Sequence, residues 1–339
     1  MKTLLLSLSL LIVTDATFAE DPWLELPAAQ EGHGKKVVII TGDEEYRTEE
    51  SGPMLGKILS QRHGFHVRVC FAIDPEHGYI DINNQKNIPG LEALAEADLM
   101  IISTRFRQLP DDQYAHIAEF LNAGKPVIGF RTATHAFTGG GATGDFKWNQ
   151  FGLKILGERW AGHHGAHKRE GARGVVVEEN RDHPILNGAT DVFATSDVYG
   201  TGNLDEEAAT ILLRGAVTET LEPESKILEG PKNDPMQALA WTREYTAPNG
   251  TTKGQAFCTT AGASDDFRSE GLRRLVVNAA LHLTGLEVPE KADVTPVDPF
   301  NPTFYGFIRE EGYFKELNLR PSDFVIGKNR QTGLPGKKK

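Results

Sequence analysis

The chain has 339 residues, a formal net charge of −11 and 39% hydrophobic residues, a composition typical of a globular protein with a large core. The acidic balance argues against nucleic acid as a partner, because binding to phosphates depends on Lys and Arg. The two cysteines, Cys70 and Cys258, each lie in a strand-like segment, HVRVCFAI and GQAFCTT, so buried free thiols are favoured over a disulfide.

Residues 1–19, MKTLLLSLSLLIVTDATFA, are predicted to form a secretory signal peptide. Lys2 precedes an apolar stretch at 4–13, and Ala19 suits a cleavage site before Glu20. This stretch is too short for a transmembrane helix, and no later segment has the ~20 apolar residues that a bilayer span requires. We therefore expect an exported protein, periplasmic or secreted, without a membrane span; an uncleaved N-terminal anchor is the alternative.

Strands and helices alternate along the next part of the chain. Apolar, β-branched runs typical of buried strands occur at KKVVIITG (35–42), HVRVCFAI (66–73), DLMIIST (98–104) and KPVIGF (125–130). Helical spacing of apolar residues, ended by glycine, occurs at SGPMLGKILSQRHG (51–64) and DDQYAHIAEFLNAGK (111–125). This alternation predicts a three-layer, doubly wound α/β fold with a mostly parallel, flavodoxin-like sheet. Ligands of such sheets bind at the carboxyl ends of the strands, so we expect chemistry in the loops after Gly42, Thr104 and Phe130.

The second half of the chain predicts added strands and a closing helix. GVVVEE (174–179), ATILLRG (209–215) and GQAFCTT (254–260) are strand-like, and EGLRRLVVNAALHLTGL (270–286) has one apolar helical face. The predicted organisation is a linker at 20–34, one α/β domain at 35–287 and a proline-rich arm at 288–339. The arm is expected to lie extended on the domain and to finish in a disordered basic end, GLPGKKK.

Four stretches in order carry a resemblance to a known family. They are TGDEEYR (41–47), GFRTATHAF (129–137), DHPILNG (182–188) with SDVYG (196–200), and the run from TTAGASDDF (259–267) to RRLVVNAALHLTGL (273–286). In these stretches the chain resembles the trehalose-utilisation (ThuA-like) family, a branch of the class I glutamine-amidotransferase-like superfamily, over about residues 35–287. The details look most like an exported bacterial subgroup. The resemblance implies the α/β fold of that superfamily and a carbohydrate as ligand, although Ala263 stands where the family often has a histidine after TTxG.

Arg131 stands where glutaminases of that superfamily carry their cysteine nucleophile. A guanidinium cannot attack a carbonyl, because it stays protonated and has no lone pair to offer. Cys70 and Cys258 lie within strands and not after one, so glutaminase activity through a cysteine is not expected. We predict instead that Arg131 binds a carboxylate or vicinal sugar hydroxyls, with Thr132 and His135 beside it. The alternative is a structural ion pair with an acidic residue of the TGDEEYR loop.

Further candidate ligand-binding residues follow other strand ends. Glu45 and Tyr46 come after the first strand, and Arg105 comes directly after the third. The SDVYG stretch supplies Asp197 and Tyr199, positions that the resemblance places at the pocket. The alternatives are a solvated acidic turn at the first loop and an ordinary ion pair for Arg105.

The stretch RWAGHHGAHKRE contains His163, His164 and His167. We predict that His163 or His164 lines the sugar pocket, and that His164, Glu45 and Asp197 are the catalytic residues for acid/base chemistry. A metal site is the alternative, since imidazole is a common zinc ligand, but glycines interrupt the stretch and no carboxylate has metalloprotease spacing. The prediction therefore assigns no metal and no cofactor.

The predicted function is binding or processing of a carbohydrate, including an oxidised keto-sugar, in a cleft at the carboxyl ends of the strands. The reaction would be of hydrolase, lyase or isomerase type, with a small polar molecule as the partner. Two alternatives stay open: a non-catalytic ligand-binding or scaffolding protein, and a metal-dependent hydrolase that uses the histidines at 163–167. The sequence leaves open whether the chain forms a homo-oligomer.

Overall fold

The structure is a computed structural model that describes residues 21–29, 32–139, 141–334 and 336. The predicted signal peptide and most of the basic C-terminal end lie outside the described residues. In the part of the chain that is described, no helix is both long enough and apolar enough to cross a membrane.

The strands and helices follow one another in a mixed α/β order. The strands are β1 (Trp23–Leu26), β2 (Lys36–Gly42), β3 (His66–Cys70), β4 (Leu99–Thr104), β5 (Val127–Phe130), β6 (Ala142–Thr143), β7 (Phe146–Lys147), β8 (Ala172–Val176), β9 (Phe193–Ala194), β10 (Ala209–Val217), β11 (Gln237–Thr246) and β12 (Lys253–Thr259). The helices are α1 (Thr48–His63), α2 (Asp111–Asn122), α3 (Glu270–Leu283) and α4 (Tyr313–Leu317).

One ten-stranded sheet organises the molecule, in the order β1-β3-β2-β4-β5-β12-β11-β10-β8-β9. Its centre, from β3 to β12, is parallel, which confirms the predicted α/β class with a large parallel core. The strands from β11 to β9 pair antiparallel at one edge. At the other edge β1 pairs antiparallel with β3, so the segment predicted as a linker contains an edge strand.

The two faces of the parallel core are both buried. Successive residues of β2 alternate between two hydrophobic clusters: Val37 and Ile39 pack with residues of α1 and α3, whereas Val38 and Ile40 pack with residues of α2. Burial on both faces explains why these strands are continuously apolar in sequence.

The C-terminal arm is packed against the domain. Apart from α4 and a short 3₁₀ turn at 321–324, its described residues form no helix or strand. Phe314, Leu319 and Phe324 belong to the same hydrophobic cluster as α1 and α3. Lys57 on α1 donates hydrogen bonds to Asp298 and to the carbonyl oxygen of Lys328. The arm therefore covers the face of α1 that does not pack on the sheet.

A pair of buried carboxyl groups at the start of α1 also contacts the arm. Thr332 donates its hydroxyl to Glu49 and its backbone N–H to Glu50, both at 2.8 Å. Burial and the neighbouring Glu50 raise the pKa of Glu49 to about 7, against the attraction of Arg47. Near its C-terminus the arm therefore donates a hydrogen bond, from Thr332, to a carboxyl group, Glu49, whose raised pKa lies near neutral pH.

Candidate functional site

The sharp turn after β5 places Arg131 at the carboxyl edge of the sheet. Its φ of 49° lies in the left-handed region, which non-glycine residues rarely adopt. The chain then continues as a short 3₁₀ turn, Arg131–His135. The backbone thus has the elbow geometry that the sequence predicts, with an arginine at its tip.

The guanidinium of Arg131 is completely buried and makes four hydrogen bonds. It donates to the carbonyl oxygens of Asp197 (2.6 Å) and Thr260 (3.0 Å), to Asp197 Oδ1 (3.0 Å) and to the Tyr46 hydroxyl (3.0 Å). Its central carbon lies 3.7 Å from the centre of the Tyr199 ring and 4.7 Å from that of Tyr46. Arg131 therefore joins three segments of the chain through hydrogen bonds, and its ion-pair partner is Asp197 and not an acid of the first loop.

Two histidines and a second carboxylate surround Asp197. His163 Nδ1 lies 2.7 Å from Asp197 Oδ2, and His167 Nδ1 lies 3.0 Å from Asp197 Oδ1. The other ring nitrogen of His167 lies 3.1 Å from Glu45 Oε1. We call Glu45, His163, His167 and Asp197 the His–carboxylate cluster. The Asp197 side chain is fully buried, whereas those of His163 and His167 are 32% and 28% exposed, so the cluster is open to solvent on its histidine side.

Backbone pairing brings the histidine loop to Asp197. His163 and Tyr199 form an isolated antiparallel bridge, and the N–H groups of His164 and Gly165 both donate to the carbonyl oxygen of Val198, at 2.9 and 3.1 Å. A Cβ at Gly165 would lie 3.1 Å from the Cβ of Asp197, so a larger residue there would push the loop away. The glycine that disfavours a helix in this stretch is what permits the close approach.

The charges of the cluster stabilise one another. Burial opposes ionisation of Asp197, but Arg131 and the hydrogen bond from His163 hold the pKa of Asp197 well below its usual range. Burial likewise opposes the charge of Glu45, but the hydrogen bond and charge of His167 lower the pKa of Glu45. For His167, burial is outweighed by hydrogen bonds to both carboxylates, which raise its pKa. The cluster therefore contains two ionised carboxylates and a histidine that retains its proton more strongly than usual.

Arg105 forms the side of the cluster next to β4. Its guanidinium pairs with Glu44 and lies 4.0 Å from Glu45 Oε2, between the rings of Phe106 and Phe307. The Arg105 side chain remains 19% exposed, so part of this cation faces solvent beside the cluster.

The other predicted residues lie at or near the cluster, with one exception. Thr132 donates to Asp43, whose other oxygen accepts the N–H groups of Glu45 and Tyr46, so Thr132 shapes the first loop. His135 packs 5.1 Å from the Trp160 ring, and burial together with Arg105 holds the pKa of His135 well below its usual value. His164 is the exception.

The Nε2 atom of His164 lies 2.7 Å from the carbonyl oxygen of Lys232, away from Asp197. Of the three histidines in RWAGHHGAHKRE, the structure therefore brings the first and the last to the predicted acids, Glu45 and Asp197. His167 was absent from the predicted catalytic set, and its signal in the sequence was its place in this histidine-rich stretch.

The C-terminal arm supplies contacts that sequence reasoning missed. The Tyr305 ring lies 5.0 Å from Tyr46 and 5.6 Å from His167, and its hydroxyl donates to the carbonyl oxygen of Thr195 at 3.0 Å. The N–H of Gly306 donates to the carbonyl oxygen of Glu45 at 2.7 Å. The aromatic density of PTFYGF within an otherwise polar arm was the available signal.

A separate cavity of about 670 Å³ lies beside the start of α3, lined by Thr190, Phe193, Asp265, Arg268 and Lys291 among others. None of the predicted site residues lines it. We place the candidate site at the His–carboxylate cluster, because ionisable groups with shifted pKa values converge there at the carboxyl ends of parallel strands.

The parallel core and this cluster define an α/β protein whose turn after β5 carries a buried arginine, Arg131. Its sequence matches the family model described as ThuA, trehalose utilisation, over residues 36–283, and the chain belongs to the ThuA family. A search of curated proteins finds no match.

The search of solved structures finds two proteins described as putative ThuA-like proteins. One, from Parabacteroides merdae, is 16% identical, with a TM-score of 0.49 over 76% of this chain and 92% of that one. The other, from Bacteroides uniformis, is 15% identical, with a TM-score of 0.41 over 75% and 93%. The exo-β-1,4-mannosidase Op5Man5 from Opitutaceae bacterium strain TAV5 is 12% identical, with a TM-score of 0.31 over 74% and 36%.

Proposed function

We propose that this ThuA-family chain binds and processes a carbohydrate, including a sugar oxidised to the ketone level, at the His–carboxylate cluster. The observation that carries the proposal is His167, partly exposed and held between Asp197 and Glu45 at the carboxyl edge of the parallel strands. The carbohydrate comes from the family, whose description is trehalose utilisation.

The cluster has the groups that sugar chemistry by proton transfer requires. Cleavage of a glycosidic bond, or removal of a proton beside a ketone, needs one group that accepts a proton and another that donates one. An ionised Glu45 suits the acceptor, and a protonated His167 suits the donor. Arg105 adds directed N–H donors for hydroxyl or carbonyl oxygens of the ligand. In this proposal Arg131 is a positioning residue, because its four hydrogen bonds hold Asp197 and Tyr46 in place.

The proposal excludes glutaminase chemistry through a cysteine. Cys70 and Cys258 are both free and buried, and burial raises the pKa of each thiol. We further propose that the chain is exported, that its architecture is the three-layer one of class I amidotransferase-like proteins, and that its ligand is a small molecule.

Turnover of a sugar panel tests the proposal. The protein is incubated with trehalose, other disaccharides and their 3-keto derivatives, and products are followed by mass spectrometry. Glu45→Gln and His167→Asn are each expected to reduce kcat by about 100-fold or more, the usual contribution of a general acid or base. His66→Ala, an exposed change at the opposite end of β3, is the matched control and should retain full activity.

A thermal shift with one of these sugars but no turnover of any would contradict the proposal. That outcome would support the alternative of a non-catalytic binding protein.

A further inference from the structure

The geometry of the cluster points to a metal site: we propose that His163, His167 and Asp197 bind one divalent transition-metal ion, with Glu45 as a supporting carboxylate. Metal binding by these residues does not depend on the proposed function; only the role of the ion toward a sugar rests on it. With an ion bound, His167 would serve as a ligand in place of its role as proton donor.

The three side chains already have the separations of ligands that share an ion. One candidate ligand atom from each residue can be chosen so that all lie within 4.8 Å of one another. Two atoms that are each about 2.1 Å from one ion lie about 3.0 Å apart at a right angle and about 3.4 Å apart in a tetrahedral site. The distances of His163 Nδ1 and His167 Nδ1 to the Asp197 oxygens, 2.7 and 3.0 Å, are close to the first of these values. Binding therefore requires only a small adjustment of side chains.

The neighbouring residues also supply the hydrogen-bond acceptor that a metal-binding histidine usually has for its second ring nitrogen. The Nε2 atom of His167 lies 3.1 Å from Glu45 Oε1, so a donated N–H can fix the ring while Nδ1 ligates. Arg131 and His167 both contact Oδ1 of Asp197, whereas His163 contacts Oδ2, so Oδ2 is the oxygen that could ligate an ion without sharing it with the guanidinium. The bridge between His163 and Tyr199 holds the loop in place before an ion arrives.

The ligand types select the class of ion. Two imidazoles and one carboxylate suit Zn²⁺, Mn²⁺, Fe²⁺ or Co²⁺ better than Ca²⁺ or Mg²⁺, which prefer oxygen ligands. In the structure each Nδ1 faces a carboxylate oxygen of Asp197, so a bound ion would take the place of the N–H that points at that oxygen. Three protein ligands leave positions open for water or a substrate oxygen, where the ion would polarise a carbonyl or hydroxyl.

The structure selects two of the three histidines in the loop, His163 and His167, as the metal ligands. The sequence allowed a site made from all three histidines of the loop, whereas the structure directs His164 to the carbonyl oxygen of Lys232. His164→Ala is therefore the matched control for His163→Ala and His167→Ala, since all three changes remove an imidazole from the same loop.

The test measures metal binding directly. Full-length mature protein without a histidine tag is treated with a chelator, desalted and titrated with Zn²⁺ or Mn²⁺ by calorimetry, with bound metal counted by elemental analysis. We expect about one ion per chain for the unmodified protein and for His164→Ala. Each of His163→Ala and His167→Ala should weaken binding at least 10-fold, as loss of one of three ligands requires.

No binding by the unmodified protein would overturn the inference, as would equal weakening in all three variants. A second readout, which does not depend on the folding of any variant, is the visible absorption of Co²⁺ added to the unmodified protein. Zn²⁺ should displace the Co²⁺ and remove this absorption. If no Co²⁺ absorption appears, that result would also count against the site. Sugar turnover by a protein that binds no ion in this titration would overturn the inference but leave the proposed function intact. A bound ion without turnover of any sugar would do the reverse.

Discussion

Removal of the buried guanidinium of Arg131 is expected to lower the free energy of unfolding by an amount that the structure allows us to estimate. Arg131→Met keeps much of the side-chain length but removes four hydrogen bonds and the ion pair with Asp197. Both members of this pair are fully buried, so the carboxylate that remains has no water to replace the lost cation. Breaking one side of such a pair typically destabilises a protein by about 3–5 kcal/mol.

The structure favours the lower end of that range. Asp197 keeps His163 and His167 as hydrogen-bond partners after the substitution, and the raised pKa of His167 favours a positive charge that offsets part of the carboxylate charge. We therefore expect a loss of about 3 kcal/mol in the free energy of unfolding. At about 2 °C per kcal/mol for a chain of this size, the melting temperature should fall by roughly 6 °C.

Denaturant unfolding of a double-mutant cycle measures the effect. Arg131→Met and Asp197→Asn should each be destabilising alone, and the double variant should be more stable than the sum of the two losses by about 1 kcal/mol or more. A loss below about 1 kcal/mol for Arg131→Met would refute the account of the guanidinium as a buried ion-pair partner. Additive losses in the cycle would refute it as well.

Three further predictions concern other parts of the molecule. The folded-state pKa of Glu49, about 7, exceeds its ordinary value of 4.5, so the folded state binds the proton of Glu49 more tightly than the unfolded state does. The resulting stabilisation is complete below pH 4.5 and is lost as pH rises through 7. Glu49→Gln should therefore flatten the dependence of the free energy of unfolding on pH between 4.5 and 7, and an unchanged slope would contradict this. Tyr305→Ala removes a buried aromatic ring and should reduce the free energy of unfolding by about 3–5 kcal/mol. Tyr305→Phe removes only the hydrogen bond to Thr195 and should reduce it by about 1 kcal/mol. Equal losses for the two variants in denaturant unfolding would contradict the packing role of the ring. Cys70 and Cys258 should resist a thiol reagent in the folded protein and react only on unfolding, and rapid reaction of either would contradict their burial.

The parallel core was predictable because its signal is local. Each of its strands is a short apolar run, and burial on both faces allows that run to be recognised without knowledge of its neighbours. The antiparallel edge lacked this advantage. β11, QALAWTREYT, mixes charged and apolar residues and was not predicted as a strand, since its stability comes from pairing with β10 and β12.

The candidate site was predictable only to the level of its loops. Glu45, Tyr46 and Arg131 follow strands that a parallel sheet brings to one edge, and the structure places them together. The direction of a side chain in an extended loop could not be predicted in this way, because neighbouring residues of an extended segment point to opposite sides. His163 pairs with Tyr199 along the backbone, and this register sends His163 to Asp197 and His164 to Lys232. Such a register depends on contacts between distant segments, which spacing within the loop does not contain.

The contribution of the arm was harder still to foresee. Proline-rich sequence without helix or strand periodicity predicts an extended segment but not where it lies. Tyr305 and Gly306 reach the first loop through contacts with residues about 260 positions earlier, such as the N–H of Gly306 on the carbonyl oxygen of Glu45.

The elbow and the cluster are best understood together. A left-handed turn after a central strand is strained, and it persists where the structure around it over-determines the conformation. Here Arg131 occupies that turn, but its guanidinium is directed to Asp197, 66 residues further along the chain, and fully withdrawn from solvent. A fixed positive charge in this place keeps Asp197 ionised without a bound ligand, and an ionised Asp197 is what orients both His163 and His167. Arg131, whose guanidinium cannot act as a nucleophile, is therefore the residue that orients the groups of the His–carboxylate cluster.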